Sequence, residues 1–380
     1  MRIRTLTYFL SGFPDDRELL KAGRFLADAR LQAQEAGFEV QTVRLALGSL
    51  EAVLFDPRAG SLGSLCSMLE EARLSQKVDF LSLGIVRDSA LLSLVGAELI
   101  RHPRLCVSAE GAAWNSGVNQ AVLKASADLT LRLSRETPQG LGNFSFCASF
   151  CVGGGTPFFP SGYSHPGPSS FALGLENSDL LVKAMGGVGG PTEGLQRFRE
   201  AYQAACGPLE TLFTQLERQT GVPCLGLDTS LAPSLDPGES LALAFERAGL
   251  PLGSAGSLGL CSEVTQILRE LKVRKTGYRG LMLPVLEDAG LCTLADQDRL
   301  SISTLLMHSS VCGVGLDTVP VPGNIPESSL LKLYADVAGL ALKWNKPLSA
   351  RLFPVAGKKA GERTTFESPH LTNCRILGIS

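Results

Sequence analysis

Strand-length apolar runs alternate with longer helical stretches along most of this 380-residue chain. Runs such as FLSLGIV at 80–86 are apolar almost throughout, which predicts strands covered on both faces. Each early run is followed by a stretch with helical periodicity, beginning with 15–37, where Asp15 or Asp16 suits the N-cap position. This alternation predicts an α/β fold of βα units around a parallel sheet.

The same patterns give the approximate bounds of about ten strands and of the helices between them. The predicted strands lie at 2–10, 39–47, 79–86, 105–110, 171–176, 223–231, 280–286, 314–319 and 349–355. The predicted helices lie at 15–37, 62–77, 88–100, 114–135, 240–250, 255–274, 295–310 and 326–344, with a helix pair at 191–219 interrupted near Gly207 and Pro208.

Composition excludes several classes of protein. The chain is 44% hydrophobic and 19% charged, which supplies a sizeable core. A net charge of -2, without runs of Lys or Arg, argues against nucleic-acid binding. No apolar run reaches the roughly 18 residues that span a bilayer, and the acidic stretch at 15–18 argues against a signal peptide. We therefore expect a cytoplasmic protein without a membrane span.

Cysteine and histidine usage favours neither disulfides nor a metal site. The ten cysteines are scattered within apolar segments, as is typical of reduced core residues in a cytosolic protein. There is no CxxC pair, and only four histidines are available as partners. We predict no metal site, and the sequence identifies no cofactor. It leaves the number of subunits open, a homo-oligomer included.

The segment at 143–168 differs from the rest of the chain in its density of glycine, proline and aromatic residues. Long irregular segments of this kind are usually functional. Glycines at 153–155 allow the backbone to approach a ligand closely, and Phe158, Phe159 and Tyr163 supply apolar walls. The pattern predicts a small-molecule site at this segment.

His165, in the same segment, is the predicted proton carrier, because histidine titrates near neutral pH. Glu176 or Asp317 would orient it or accept a proton, and Asn177 lies beside Glu176. A solvated loop histidine with a salt-bridged Glu176 is the alternative. Cys151, four residues after Cys147, presents a candidate catalytic thiol, although packing of both thiols in the core explains the same pattern.

Two further carboxylates follow apolar runs that share the string Gly-Leu-Asp-Thr. These are Asp228 and Asp317, which we expect at the carboxyl ends of strands, where α/β folds build their sites. They would bind a substrate ammonium or a divalent cation, or act as acid and base; the alternative is that they cap the following helices. Lys358 would contact an anionic group of the ligand or remain solvated.

Five strings spread along the chain resemble those of a prokaryotic family of uncharacterised proteins. They are MRIRTLT at the start, TPFFPSGYSH with FALGLEN, GLDTSLAP, GVGLDTVPVPG, and ARLFPVAGKKAGE near the end. The fold of that family is grouped with the pyruvate formate-lyase-like barrels of glycyl radical enzymes.

The resemblance implies one βα barrel of ten strands in two five-stranded parallel halves that run antiparallel to each other. The half-barrels would lie at about 1–142 and 169–357, joined by the functional loop at 143–168. That loop holds Cys147 and Cys151 near the midpoint, where radical enzymes carry their reactive cysteine. Near the C-terminus, the string RILGI around Gly378 lacks the tyrosine and the small residue of the radical-glycine motif. We therefore expect no glycyl radical.

These features together predict an enzyme that acts by acid/base chemistry on a small polar metabolite, either an amino acid or a carboxylate. The resemblance favours amino acids, because relatives are associated with a small amino-acid-sensing type of domain. A noncatalytic sensor that uses the same pocket is the alternative, and a structural protein with a vestigial site, in which the aspartates serve only as caps, is a third possibility. The first two hypotheses require His165, Asp228 and Asp317 to converge on one concavity.

Overall fold

The computed structural model describes residues 2–379, and within them the chain forms ten strands and twelve α-helices. The strands are β1 (Arg2–Phe9), β2 (Glu39–Ala46), β3 (Phe80–Val86), β4 (Leu105–Ala113), β5 (Gly117–Val118), β6 (Phe146–Phe150), β7 (Ser170–Glu176), β8 (Cys224–Asp228), β9 (Gly315–Pro322) and β10 (Leu348–Val355). The helices are α1 (Asp16–Glu35), α2 (Leu50–Phe55), α3 (Leu62–Ser75), α4 (Ser89–Arg101), α5 (Gln120–Glu136), α6 (Ser178–Ala184), α7 (Pro191–Thr220), α8 (Leu241–Arg247), α9 (Ser257–Glu270), α10 (Ala289–Asp296), α11 (Ile302–Ser309) and α12 (Glu327–Trp344).

Helix α1 shows why the local sequence forms these elements. Asp15 is its N-cap and accepts a hydrogen bond from the Glu18 N–H at 3.0 Å, which satisfies one of the free donors of the first turn. Its buried residues include Leu19, Ala22 and Leu26, which recur at the helical spacing and pack against the sheet. Polar residues occupy the opposite face, as the periodicity predicts.

All ten strands belong to one mixed sheet. Its order is β8-β7-β1-β2-β3-β4-β6-β10-β9, and the short β5 pairs with β4 outside this order. The neighbours from β1 through β2, β3 and β4 to β6 pair in parallel, as do β7 with β8 and β9 with β10. Antiparallel pairs join β1 to β7 and β6 to β10. The sheet is not closed, and β8 and β9 form its edges.

An irregular segment, 275–284, lies between the two edge strands. It makes isolated parallel bridges from Lys275 to Leu227 and from Leu281 to Leu231 on one side, and from Pro284 to Asp317 on the other. The strand predicted at 280–286 does not form here. Pro284 lacks the N–H that a continuous β-ladder needs, and a 3-10 turn at Val285–Glu287 follows it directly.

Other local predictions also differ from the structure, among them the helix at 114–135, which begins only at Gln120 because 117–118 form β5. The segment 143–168 is not irregular throughout, since it contains β6, whose residues are all buried. Helix α7 is continuous rather than a broken pair, because Pro208 lies on its exposed side and the buried face continues past it. The stretch predicted as one helix at 295–310 is divided between α10 and α11.

The core consists of apolar side chains between the sheet and its helices, and all ten cysteines are buried and free. No helix within residues 2–379 combines the length and the apolar character needed to cross a membrane.

Candidate functional site

A cavity of about 330 Å³ lies against one face of the sheet. Its strand-borne lining residues are Arg4 from β1, Gln41, Thr42 and Arg44 from β2, Phe80 from β3, Cys106 from β4, Cys147 from β6, Asp317 from β9, and Ser349 and Arg351 from β10. Because seven strands direct side chains into one space, the sheet is concave here. Phe158 and Phe159, Tyr278, Glu287 and His370 belong to the remaining walls.

Strand β2 supplies Arg44, one of the buried cations of the cavity. Thr42 and Arg44 are two residues apart and therefore lie on the same face of the strand. The Arg44 Nε donates to Thr42 Oγ1 at 3.0 Å. Its guanidinium lies 5.5 Å from the centre of the Phe80 ring and 5.2 Å from that of Phe159. These contacts fix the plane of the guanidinium in the wall of the cavity.

Arg44 differs from the other arginines of the cavity in having no acidic partner. It is only 9% exposed, yet no carboxylate within residues 2–379 forms a salt bridge with it, and its terminal nitrogens make no hydrogen bond there. Burial and the nearby Arg4 lower its pKa to about 10, so it remains protonated at neutral pH. Buried charges are normally paired, so Arg44 has the properties of an anion-binding residue.

Two other arginines hold the carboxylates of the cavity in place. Arg351 Nε donates to Asp317 Oδ1 at 2.6 Å, and its Nη2 donates to Glu287. Arg4 donates to the second oxygen of Glu287 at 2.8 Å and to Glu176 at 2.6 Å. The alternating charges form one buried network that fixes the positions of these side chains.

A bulge in β9 directs Asp317 toward Arg351. Leu316 pairs with Ala350 and Val319 with Leu352, so Asp317 and Thr318 together stand opposite Arg351 alone. Thr318 is buried and adopts φ +42°, a strained conformation for a β-branched residue. Asp317 lies third in β9 rather than at its carboxyl end, which corrects its predicted position.

Asp317 is the cavity carboxylate best suited to exchange protons. Burial raises the pKa of Asp317, Arg351 opposes this rise, and the neighbouring Glu287 adds to it. A carboxylate with a raised pKa is a stronger base than an exposed aspartate.

The thiols and the phenol of the cavity are protonated. Burial raises the pKa of Cys106 to about 11 and that of Cys147 to about 12, in spite of nearby arginines. Burial also raises the pKa of Tyr278, whose hydroxyl donates to Ser161 Oγ at 2.7 Å. These groups are therefore suited to hydrogen bonding with a ligand and not to nucleophilic attack at neutral pH.

The cavity brings together four of the residues that the sequence singles out, Cys147, Phe158, Phe159 and Asp317. A fifth, Glu176, contributes indirectly. It lies at the end of β7, outside the lining, and accepts hydrogen bonds from Arg4 and, at 3.0 Å, from Gln41 Nε2.

The other predicted residues of the 143–168 segment do not line this cavity. The ring nitrogens of His165 lie 2.7 Å from Pro166 O and 3.3 Å from Ser170 Oγ. Tyr163 is buried and donates to Val152 O at 2.8 Å. Cys151 is also buried, and burial raises its pKa to about 11. This segment instead reaches the cavity through Phe144, Cys147 and the run 158–161.

Asp228 caps backbone instead of lining the cavity. Its carboxylate accepts hydrogen bonds from Ser230 and from the N–H groups of Tyr278 and Arg279 at 2.8 and 3.0 Å. It thereby holds the irregular segment at 275–284 against β8. The expected convergence of His165, Asp228 and Asp317 on one concavity therefore does not occur, because only Asp317 faces it.

Asn177 and Lys358 also lie away from the cavity. Asn177 precedes α6 and is fully buried, and its amide atoms have no hydrogen-bond partner within residues 2–379. Lys358 is part of the C-terminal segment, residues 356–379, which follows β10. Its Nζ donates to Arg363 O at 2.5 Å and to Thr365 Oγ1 at 3.2 Å.

Sequence reasoning missed Arg44, Arg351, Glu287 and His370. A signal for the two arginines was present, since each lies within an apolar strand, EVQTVRLA or LSARLFPV. A charged residue at such a position is rarely buried without a partner or a ligand. No local pattern distinguishes Glu287 or His370, which reach the cavity only through the tertiary fold.

Metal binding receives no support from the geometry. Within the part of the chain that the structure describes, no group of three or more His, Cys, Asp or Glu side chains is arranged to hold a metal ion.

Comparison with known proteins places the chain in a family. Residues 1–367 match the family model described as Uncharacterised ACR (DUF711). A UPF0210 protein of Pyrobaculum islandicum is 26% identical over 354 residues, which cover 87% of this chain and 77% of the relative. A UPF0210 protein of Desulfovibrio desulfuricans is also 26% identical, over 369 residues covering 87% and 78%. The chain therefore belongs to the DUF711 family of uncharacterised proteins.

Proposed function

We propose that this protein binds a small carboxylate, an amino acid among them, in the cavity at Arg44 and acts on it by acid/base chemistry without a glycyl radical. The observation that carries the proposal is the buried guanidinium of Arg44, which has no acidic partner within residues 2–379 and lies beside an open space. A planar carboxylate matches two terminal N–H groups held at a fixed angle.

Asp317 is the proposed base. It shares the cavity with Arg44, and its carboxylate is held by Arg351. A ligand ammonium, or a C–H made acidic by an adjacent group, would lie toward Asp317 while the ligand carboxylate binds Arg44. Phe158 and Phe159 would surround the apolar part of the ligand. The proposal gives no direct role to the predicted residues that lie outside the cavity, which are His165, Cys151, Tyr163, Asp228, Asn177 and Lys358.

We further propose that the sheet and segment 275–284 together form a closed barrel of the pyruvate formate-lyase-like type. The antiparallel junctions at β1–β7 and β6–β10 support two halves of opposite direction, and bridges from the segment to both edge strands support closure. The half-barrels, predicted at 1–142 and 169–357 of one domain, would meet within 143–168, where β6 would supply the fifth parallel strand of the first half. Ten free buried thiols fit a reducing compartment such as the cytoplasm.

A noncatalytic sensor is the second candidate function. It is favoured by the protonated state of Cys106, Cys147 and Tyr278, which leaves none of these three groups ready for nucleophilic attack. A sensor would bind the same carboxylate at Arg44 and return it unchanged.

Ligand screening by thermal shift tests the proposal. A panel of amino acids, keto acids, simple carboxylates and neutral amides is added to wild type, to Arg44→Gln and to Arg197→Gln. A ligand that binds the native state raises Tm by mass action. We expect carboxylates, and not the amides, to raise the Tm of wild type and of Arg197→Gln, whose side chain is exposed on α7.

Arg44→Gln should lose at least about 1.4 kcal/mol of binding, a factor of ten, because charge-assisted hydrogen bonds are the strong ones. Equal shifts in wild type and Arg44→Gln would contradict the proposal, as would a panel without hits. Incubating each hit with the protein and following it by NMR then separates the two candidates. An enzyme converts the ligand and loses this conversion in Asp317→Asn, whereas a sensor converts nothing.

A further inference from the structure

The C-terminal segment brings a histidine into the cavity. Pro369 and His370 line it together with Arg44. The segment is anchored next to them, since the N–H of Thr372 donates to Leu286 O at 2.8 Å. His370 is thereby held over the cavity by contacts that do not involve its ring.

Aromatic packing fixes the orientation of the His370 ring. The ring stacks on Phe144 with centroids 5.7 Å apart and an angle of 14°, and it meets Phe80 edge-on at 6.1 Å. The same Phe80 ring lies 5.5 Å from the Arg44 guanidinium carbon. Phe80 therefore packs against both His370 and Arg44, and all three side chains line the same cavity.

The ring nitrogens of His370 make no hydrogen bond to any residue in the described range 2–379. The charged groups around the His370 ring come from several elements and are mostly cationic. The cationic groups are Arg4 of β1, Arg44 of β2, Arg104 just before β4, and Arg351 of β10, which lies over the Phe144 ring. The acidic group is Glu287. Burial lowers the pKa of His370, and Arg104 and Arg4 lower it further. Without a ligand, the imidazole is therefore neutral at pH 7.

We infer that His370 is a second ligand-contacting group, which takes up a proton from solvent when a carboxylate binds at Arg44 and then donates a hydrogen bond to that carboxylate. This inference rests on the proposed function. The bound anion offsets the repulsion from the arginines, so the protonated imidazole becomes more stable in the complex than in the free protein. The same linkage makes protonation strengthen carboxylate binding.

The sign of the pH dependence follows. The pKa of His370 is higher in the complex than in the free protein, so affinity rises as pH falls through the pKa of the complex. The increase ends below the pKa of the free protein, which lies under the ordinary 6.5. Between pH 7.5 and 5.5 we expect binding to tighten by about three- to tenfold, since one pKa unit corresponds to a factor of ten.

Isothermal titration calorimetry with propionate and alanine as probes tests the inference. Each titration is repeated at pH 6 in Bis-Tris and in imidazole, two cationic buffers of different ionisation enthalpy, and the difference in heat gives the protons taken up. We expect uptake in wild type and none in His370→Gln. His165→Gln is the matched control, because His165 lies outside the cavity, and it should retain the uptake.

The outcomes are distinguishable from those of the proposed function. Binding without proton uptake in wild type, or uptake that persists in His370→Gln, overturns the role of His370 and leaves the binding site intact. Failure of every carboxylate to bind overturns the proposed function as well. The His370 ring resonance of wild type gives the same answer without a variant: its pKa should rise on addition of the probe, and an unchanged pKa contradicts the inference.

Discussion

At the scale of single residues, Asp228 stabilises the fold through backbone hydrogen bonds. Its buried carboxylate accepts from Ser230 and from the N–H groups of Tyr278 and Arg279. Asp228→Ala leaves these donors buried without an acceptor, and a cost of about 3 kcal/mol in the free energy of unfolding is expected. Urea denaturation measures it, with Asp128→Ala, an exposed ion-pair residue, as a control that should lose less than about 1 kcal/mol. Equal losses in the two variants would contradict the role of Asp228.

His308 gives the fold a dependence on pH. It is buried, with Nδ1 2.8 Å from Thr304 O and Nε2 3.1 Å from Ser257 Oγ, and burial lowers its pKa from the ordinary 6.5. Above pH 6.5 His308 is neutral in both the folded and the unfolded protein, so its protonation takes nothing from the free energy of unfolding. Below that pH the unfolded chain takes up a proton that the native state does not, and stability falls until the folded pKa is reached.

Unfolding of wild type and His308→Gln in urea at pH 7.5 and 5.5 measures this effect. His308→Gln should be less stable at both pH values but should lose less stability on acidification, while the contribution of His370 remains in both proteins. A larger loss on acidification in the variant than in wild type would show that His308 has no such role.

Some site residues were predictable from sequence, and the reason is local. Phe158 and Phe159 lie in a segment whose composition is itself unusual, and Asp317 lies within an apolar strand. The sequence does not show that the Asp228 carboxylate accepts hydrogen bonds from backbone N–H groups, or that His165 lies outside the cavity. His370 and Glu287 depend on contacts between segments far apart in the chain, for which one sequence carries no pattern.

At the scale of elements, the contact between β8 and the irregular segment at 275–284 depends on Gly226. Gly226 has φ +118°, and a Cβ there would lie 2.4 Å from the carbonyl oxygen of Arg274. Gly226→Ala is therefore expected to cost about 2–4 kcal/mol, through strain and displacement of that segment. Gly259→Ala in α9 is the matched control, since an added Cβ meets nothing within 4 Å, and it should stabilise by about 0.5–1 kcal/mol.

Thermal denaturation of both glycine variants checks the prediction. A Gly226→Ala protein as stable as wild type would show that this edge of the sheet adapts easily, and it would weaken the proposed closure of the barrel.

Elements with a strong period were predictable, and those shaped by tertiary contacts were not. Strands β1 to β4 and helix α1 lie close to their predicted bounds, because burial on the sheet imposes the pattern that the sequence displays. Strand β6 was missed because the surrounding glycines, prolines and aromatic residues are typical of a loop. In α7, packing of the buried face overrides the exposed Pro208.

At the scale of the whole molecule, the ten cysteines report on opening of the fold. All are buried and free. Because a thiol must reach solvent and ionise before it reacts, the native protein should react slowly with a chromogenic disulfide reagent. Denaturant should expose all ten thiols at once. A single thiol that reacts stoichiometrically within the mixing time of the native protein would contradict the buried arrangement.

The central claim is that a carboxylate occupies the cavity at Arg44, and crystallography of the complex tests it most directly. Crystals of wild type and of Arg44→Gln are soaked with 4-bromobenzoate, whose bromine gives an anomalous signal. We expect density in the wild-type cavity, with the carboxylate within hydrogen-bonding distance of the Arg44 terminal nitrogens, and weaker or absent density in Arg44→Gln. A carboxylate bound elsewhere, or bound equally well in both crystals, would contradict it.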